Sequence, residues 1–185
     1  MLFLSDEFIK KLKEFEGLRL EAYEDAAGIW TIGYGHTHDV RKGDKISEYC
    51  ADEYLRMDLE IAQKQVMDLK VAKTQGQLDA LVDFVFNLGI GKLKTSTLLR
   101  LIQAGFPQEV IMKEFRKWCY ATDPATGKKK RLPGLWSRRN WEADRYYDKT
   151  DSVEEVKERL MQKENGTIVA SVEDDDDFPE EYAEG

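Results

Sequence analysis

The chain opens with a short stretch in which apolar residues recur every three or four positions. Ser5 precedes this stretch with the side-chain acceptor of a helix N-cap, and Gly17 follows it. The apolar positions are Phe8, Leu12 and Phe15. Because this is the period of an α-helix with one buried face, the pattern predicts an amphipathic helix over residues 5–16.

Residues 17–45 lose the helical period and are divided by glycines. Aromatic and β-branched side chains are concentrated here, which is typical of strands joined by tight turns. The apolar and strand-favouring residues include Leu20, Tyr23, Ile29, Trp30, Thr31, Ile32 and Tyr34. The segment therefore predicts a small antiparallel sheet lobe.

Helical spacing returns at Ser47 and continues to about residue 148. The predicted helices run from Ser47 to about Lys70, from Thr74 to Leu88, over 95–104, over 107–120 and over about 136–148. The second of these is apolar nearly all round, which indicates a helix buried in the core. Residues 121–135 are rich in turn residues and predict an exposed loop. We therefore expect a larger, all-helical lobe over about 46–148.

The overall composition predicts a folded protein that lives in water. Of the 185 residues, 42% are hydrophobic and 35% are charged, and no apolar run approaches the roughly 18 residues of a membrane span. The net charge of −8 is concentrated at the end of the chain, because residues 151–185 carry −10. We expect a globular domain over 1–150 and an acidic C-terminal extension, with Ser152 and Glu155 capping one more helix.

The remaining 150 residues carry a charge of only +2, and their one basic run, Lys128 to Arg131, lies in the predicted loop. This near-neutral balance and the lack of a nucleic-acid motif argue against a nucleic-acid partner. A positive rim facing an anionic partner of another kind is the simpler interpretation. The acidic extension is expected to be a solubilising end, and an inhibitory lid over the rim is the alternative.

Three polar residues near the junction of the first helix and the sheet are candidates for chemistry. Glu16 ends the helix, Asp25 lies at the turn between two predicted strands, and Thr31 lies on the second strand. A hairpin can bring these positions together, and glycoside hydrolysis needs two carboxyl groups. The spacing alone does not decide, because most of the 36 acidic residues are expected to be surface charges.

The residues around these candidates resemble a known family. The segment EGLRLEAYEDAAGIWTIGYGH, residues 16–36, is similar to the signature segment of the phage-type lysozymes, the endolysins of glycoside hydrolase family 24. Weaker similarity continues through VFNLG (85–89) and PGLWSRRNWE (133–142). The resemblance covers residues 5–148, and 149–185 have no counterpart in it.

The resemblance implies an α+β, lysozyme-like fold with a cleft between the sheet lobe and the helical lobe. It implies hydrolysis of the β-1,4 bond between N-acetylmuramic acid and N-acetylglucosamine in peptidoglycan, with no metal and no other cofactor. Glu16 would be the general acid, while Asp25 and Thr31 would hold the attacking water. Such direct attack by water inverts the anomeric carbon. In an inverting enzyme the two carboxyl groups lie about 6.5–9.5 Å apart, which leaves room for the water.

Other residues of these motifs are expected to contact substrate or to support the site. The predicted substrate-binding residues are Tyr34, Gly35, His36 and Asn87. The resemblance also makes His36 a buried partner of an acid on the following helix, for which Asp58 is the candidate. Two histidines one residue apart, His36 and His38, form a poor metal pair without further ligands at metal spacing.

Two further groups of side chains have a structural interpretation beside a functional one. The aromatic residues Trp30, Trp118 and Trp136 are expected mainly in the core, with sugar stacking as the alternative. Arg138 and Arg139 are expected either to join the positive rim or to brace the last predicted helix of the lobe through carboxylates such as Glu142, four residues after Arg138.

The expected cellular location follows from the N-terminal residues, which do not resemble a secretion signal. No basic, apolar leader is visible, so Cys50 and Cys119 are expected to be reduced thiols. We expect a monomer without a membrane partner that accumulates in the host cytoplasm and is released by a separate holin. Alternatives are a non-catalytic wall-binding or phage-structural module with the same fold, a lytic transglycosylase, or a chitinase-like specificity.

Overall fold

The computed structural model describes residues 3–25, 27–122, 127–148 and 152–164. In these ranges eight α-helices accompany two antiparallel sheets of two strands each, which confirms the α+β class. The helices are α1 (Asp6–Glu16), α2 (Glu48–Asp68), α3 (Gln75–Leu88), α4 (Ile90–Lys94), α5 (Thr97–Gln103), α6 (Gln108–Arg116), α7 (Pro133–Tyr146) and α8 (Val153–Glu164). The strands are β1 (Arg19–Glu24), β2 (Trp30–Gly33), β3 (Tyr120–Thr122) and β4 (Lys129–Arg131).

The first helix forms where the sequence predicts it. The Ser5 hydroxyl accepts a hydrogen bond from the Phe8 amide at 3.1 Å, which satisfies one of the free donors at the helix start. Phe8 and Leu12 are fully buried. The helix ends because Gly17 adopts a φ of +69°, a conformation that side-chain-bearing residues rarely adopt. Glu16 is thereby the last residue of α1.

The predicted N-terminal sheet is confirmed as a hairpin of β1 and β2. Tyr23 lies opposite Thr31, and Glu24 lies opposite Trp30. An isolated bridge between Glu21 and Lys45 ties the end of the lobe back to β1. The lobe is thin, and its main support is the packing of β2 against α2.

Helix α3 is the centre of the helical lobe, as its apolar sequence predicts. It packs against α2 on one side and α7 on the other. The buried apolar side chains of α3 are Leu78, Ala80, Leu81, Val82, Phe84 and Val85. The Thr74 hydroxyl caps the Gln77 amide, whereas the Gln77 side chain accepts from the Lys73 amide instead of closing a full capping box.

The expectation of an exposed loop over 121–135 was wrong in part. Strands β3 and β4 pair there, with Tyr120 opposite Arg131, so the helical lobe also carries a small hairpin. Helix α7 then begins at Pro133, three residues earlier than predicted, because proline is favoured in the first helical turn.

Two other helix boundaries differ from the prediction. Helix α6 ends at Arg116 and is followed by a 3₁₀ turn over Lys117–Cys119, rather than running on to residue 120. The helix expected over 95–104 begins only after the Ser96 N-cap, and the short α4 precedes it. Cys50 and Cys119 are free thiols. None of the described helices has the length and apolar character that a membrane crossing requires.

Helix α8 packs on the body of the molecule. Ser152 and Glu155 form the predicted capping box, with the Ser152 amide donating to Glu155 at 2.8 Å. The Val153 amide donates to the Lys73 carbonyl oxygen, and the Val153 side chain is 3% exposed within the main core. The domain boundary at residue 150 stays a prediction, and the acidic end that follows α8 lies outside the described residues.

The burial of Val153 predicts that α8 contributes to stability. Val153→Ala should lower the free energy of unfolding by about 2 kcal/mol, because two buried methyl groups are lost and a cavity remains. The control is Met161→Ala on the same helix, since Met161 is 49% exposed and should cost under about 0.5 kcal/mol. Denaturant unfolding of both variants checks this, and equal losses would contradict the packing of α8.

Candidate active site

Glu16 reaches the space between the lobes from the last turn of α1. Its side chain is 19% exposed, and Oε1 accepts a hydrogen bond from Arg138 Nη1 at 2.6 Å. Oε2 lies on the side of the hairpin, 3.8 Å from the position that a Cβ on Gly35 would take. One oxygen of Glu16 is therefore held by the helical lobe, and the other faces the sheet lobe.

Arg138 is itself fixed from the opposite side. Its Nε and Nη2 both donate to the Asp83 carboxylate at 2.8 Å, which is the two-bond geometry that guanidinium and carboxylate groups favour. Asp83 is fully buried on α3, and the Phe15 ring centroid lies 5.3 Å from the Arg138 guanidinium. Burial alone would lower the pKa of Arg138, but the charges of Asp83 and Glu16 raise it above its ordinary value.

Asp25 is oriented by the turn that joins β1 and β2. Its Oδ1 accepts hydrogen bonds from the Ala27 and Ile29 amides at 2.8 and 2.9 Å. Within the described ranges Oδ2 has no hydrogen-bond partner. Thr31 is 4% exposed, and its hydroxyl donates to the Ile29 carbonyl oxygen. The same turn thus fixes both predicted water-holding residues.

A cavity of about 580 Å³ opens beside Glu16. It lies between the end of α1, the end of α3 and the first turns of α7. The lining residues are Glu14, Phe15, Glu16, Asn87, Leu132, Gly134, Leu135, Ser137 and Arg138. The volume is that of a small-molecule or sugar site, and a mixed polar and apolar lining suits a carbohydrate.

The four predicted substrate-binding residues lie in different settings. Gly35 is exposed beside Glu16, and Asn87 lines the cavity, where its Oδ1 accepts from Arg139. Tyr34 is buried, with the Lys13 ammonium 5.2 Å from its ring. His36 is also buried. Substrate binding by these residues stays a prediction.

His36 has the structural partner that the sequence predicts. Its Nδ1 lies 2.8 Å from Asp58 Oδ2 on α2, and its ring stacks on Tyr54 at 4.5 Å. This contact ties the turn after β2 to α2 and so supports the hairpin that carries Thr31. In the parts of the chain that are described, His, Cys, Asp and Glu side chains form no group of three or more that could hold a metal ion.

The predicted bracing of α7 through Glu142 is confirmed for Arg139 and wrong for Arg138. Arg138 turns to Glu16 and Asp83, and it is Arg139 that lies 2.9 Å from Glu142, with both side chains fully buried. Burial raises the pKa of Glu142 well above its ordinary range and lowers that of Arg139.

Trp118, one of the tryptophans expected mainly in the core, packs against Phe84 in the core.

Most of the chain matches a known protein family in sequence. The family model for phage lysozyme matches residues 13–142. The chain belongs to the phage lysozyme family. This match includes Glu16, Asp25 and Thr31, together with the residues that line the cavity.

One relative and two solved structures illustrate how much of a similar protein this chain matches. The endolysin of Acyrthosiphon pisum secondary endosymbiont phage 1 is 42% identical over 142 residues, covering 75% of this chain and 94% of the relative. Among solved structures, the endolysin of Escherichia coli O157:H7 phage FAHEc1 is 40% identical with a TM-score of 0.70, covering 82% and 96%. The muramidase domain of SpmX from Asticaccaulis excentricus is 34% identical with a TM-score of 0.73, covering 78% and 97%.

Sequence reasoning missed Asp83, the buried partner of Arg138. The apolar pattern predicts a core helix at this position, yet a fully buried carboxylate needs a partner of opposite charge. The signal was present, because Asp79 and Asp83 are acidic residues one turn apart in a helix that is mostly apolar. Trp136 lies under the Arg131 guanidinium at 4.8 Å, at the start of α7.

Proposed function

We propose that this chain is an endolysin-type muramidase. It hydrolyses the β-1,4 bond between N-acetylmuramic acid and N-acetylglucosamine in bacterial peptidoglycan during phage-mediated lysis of the host. The observation that carries the proposal is Glu16, a partly buried carboxyl group on a cavity of sugar size, with one oxygen held by Arg138 and the other directed toward Gly35. Membership of the phage lysozyme family supports it independently.

In the proposed first step Glu16 protonates the glycosidic oxygen. An arginine N–H can only donate, so Arg138 keeps Oε1 as an acceptor and the proton of the neutral acid belongs on Oε2. Oε2 faces Gly35, which has no side chain to block the approach of a sugar. The geometry therefore gives Glu16 a fixed direction for proton transfer.

In the same step Asp25 and Thr31 act on the attacking water. Two backbone amides occupy Oδ1 of Asp25, which leaves Oδ2 to accept a proton from water. Thr31 lies next to the same turn and supplies the second contact to this water. Attack of water on the face opposite to the leaving group inverts the anomeric centre. Tyr34, Gly35, His36 and Asn87 are proposed to bind or frame the glycan, without a cofactor.

The cellular part of the proposal follows from the endolysin assignment. The protein acts as a monomer on peptidoglycan glycan strands after it accumulates in the host cytoplasm. A separate holin gives it access to the wall. Neither nucleic acid nor membrane is proposed as a partner.

Analysis of the products of purified peptidoglycan tests this function. We expect new reducing muramic acid ends, and the first-formed product should have the α anomeric configuration, inverted from the β bond. Retained β anomers would contradict the water-attack scheme, and 1,6-anhydro ends would identify a transglycosylase. Equal rates on chitin oligomers would indicate a chitinase-like specificity. Binding of the wall without release of sugar would favour the non-catalytic module.

A further inference from the structure

We infer that Asp83 is a positioning residue for the proposed reaction, because it balances the charge of Arg138 so that Arg138 can hold Glu16 without keeping it ionised. The inference rests on the proposed role of Glu16 as the general acid. It deepens that role by assigning a task to a buried carboxylate that does not reach the cavity.

The need for such a residue follows from the contact between Arg138 and Glu16. A general acid must carry a proton at working pH, but a guanidinium 2.6 Å away favours the carboxylate form. The effect is larger in a partly buried site than in water, and Arg138 is only 5% exposed. An arginine does not give up its charge, so a fixed negative group must offset it.

Asp83 has the geometry to do this. It binds Arg138 through two hydrogen bonds of 2.8 Å, whereas Glu16 receives only one. Its side chain has no solvent exposure, so water does not screen the pair. The guanidinium is therefore paired first with Asp83 through Nε and Nη2, and Nη1 orients Glu16 as a hydrogen-bond donor.

The other charged groups around Glu16 and Arg138 have partners of their own. They come from α1 and α7 and comprise Glu14, Arg139 and Glu142. Glu14 pairs with Lys11 at 2.8 Å, and Arg139 with Glu142 at 2.9 Å. From the hairpin, Gly35 faces Oε2 of Glu16, and Asp25 is the carboxylate proposed to act from the far side of the sugar. On α7, Glu142 is influenced by Asp83, because the charge of Asp83 helps to raise the pKa of Glu142. Among the described carboxylates, Asp83 and Glu16 are the two that pair with Arg138, so Asp83 is the group that offsets the charge of Arg138 at Glu16.

Asp83→Asn tests the inference, because asparagine keeps the shape but removes the charge. The uncompensated Arg138 should then hold Glu16 in its ionised form. We expect the alkaline decline of kcat to move to lower pH by about one unit, with a roughly tenfold loss near neutral pH and a near wild-type rate in mild acid. KM should change little.

Asp79→Asn is the matched control. Asp79 lies one turn earlier on α3, is also fully buried, and also pairs with an arginine of α7, Arg145, at 2.9 Å. Arg145 contacts Ser5 and Glu7 rather than Glu16. This variant should lose stability but keep the wild-type pH profile of kcat. Both variants are assayed at temperatures well below the midpoints of their thermal unfolding.

A double variant, Asp83→Asn with Arg138→Met, separates the effect of the Arg138 charge on Glu16 from the effect of Arg138 on the position of Glu16. It should fold, because it contains no buried arginine without a partner. The alkaline decline should return to its wild-type pH, while kcat stays low because Glu16 is no longer held. A decline that stays displaced in the double variant would overturn the inference. So would a wild-type profile in Asp83→Asn, or an equal displacement in Asp79→Asn. An active Glu16→Gln enzyme would instead overturn the proposed function itself.

Discussion

Replacing Glu16 with glutamine is expected to lower kcat on peptidoglycan by about 10²–10⁴-fold and to leave KM nearly unchanged. Glutamine has the same shape, and its amide oxygen can still accept the hydrogen bond from Arg138 Nη1. The amide nitrogen then takes the place of Oε2 on the side of Gly35. It cannot deliver an acidic proton to the leaving oxygen. The loss therefore falls on the chemical step and not on substrate binding.

Glu14→Gln is the control for this prediction. Glu14 lines the same cavity and lies two residues before the helix end. A hydrogen bond from Lys11, together with its charge, lowers the pKa of Glu14 below its ordinary value, which disfavours the protonated form that a general acid needs. Its replacement should change kcat by less than about threefold. Equal losses in both variants, measured by release of reducing ends, would remove Glu16 from the catalytic role.

The sequence predicted those features that depend on local patterns. Helix α1, its Ser5 cap and its end before Gly17 follow from spacing, capping chemistry and the freedom of glycine. The resemblance to phage lysozymes supplied the contact between His36 and Asp58, which is confirmed at 2.8 Å. It also supplied the roles of Glu16, Asp25 and Thr31, and these remain proposals for the assays above.

The contacts of Arg138 could not be predicted from local spacing. Its partners Asp83 and Glu16 lie 55 and 122 positions away in the chain. The four-residue spacing pointed to Glu142, because neighbouring turns of one helix are the only contacts that a sequence displays directly. Long-range pairing prevails here because α3 and α7 pack together and bury the arginine, which must then be paired with the nearest carboxylate.

The hairpin of β3 and β4 was missed for a different reason. Its strands have three residues each, and all six are exposed. A strand that buries neither face shows no alternation of apolar and polar residues, so the turn residues between the strands dominated the interpretation. The short helix α4 likewise has five residues, too few to display a period.

Removal of Arg139 is expected to give the second large effect, on stability. Arg139 and Glu142 form an ion pair with no solvent exposure on either side chain. Arg139→Met leaves Glu142 as a buried carboxylate without its partner, which should cost about 3–5 kcal/mol of unfolding free energy at neutral pH. The variant Glu142→Gln with Arg139→Met removes both charges. It should recover most of the loss, since a neutral pair needs no compensation.

The loss in Arg139→Met should also depend on pH. Burial already raises the pKa of Glu142 in the folded protein, and removal of the Arg139 charge raises it further. A carboxyl group whose folded pKa exceeds its unfolded pKa favours folding at low pH, and that contribution disappears as the pH rises through the folded pKa. The destabilisation should therefore be smaller at about pH 5 than at about pH 8. Denaturant unfolding at both pH values measures it, and a pH-independent loss would mean that Glu142 keeps its charge by reaching water or another partner.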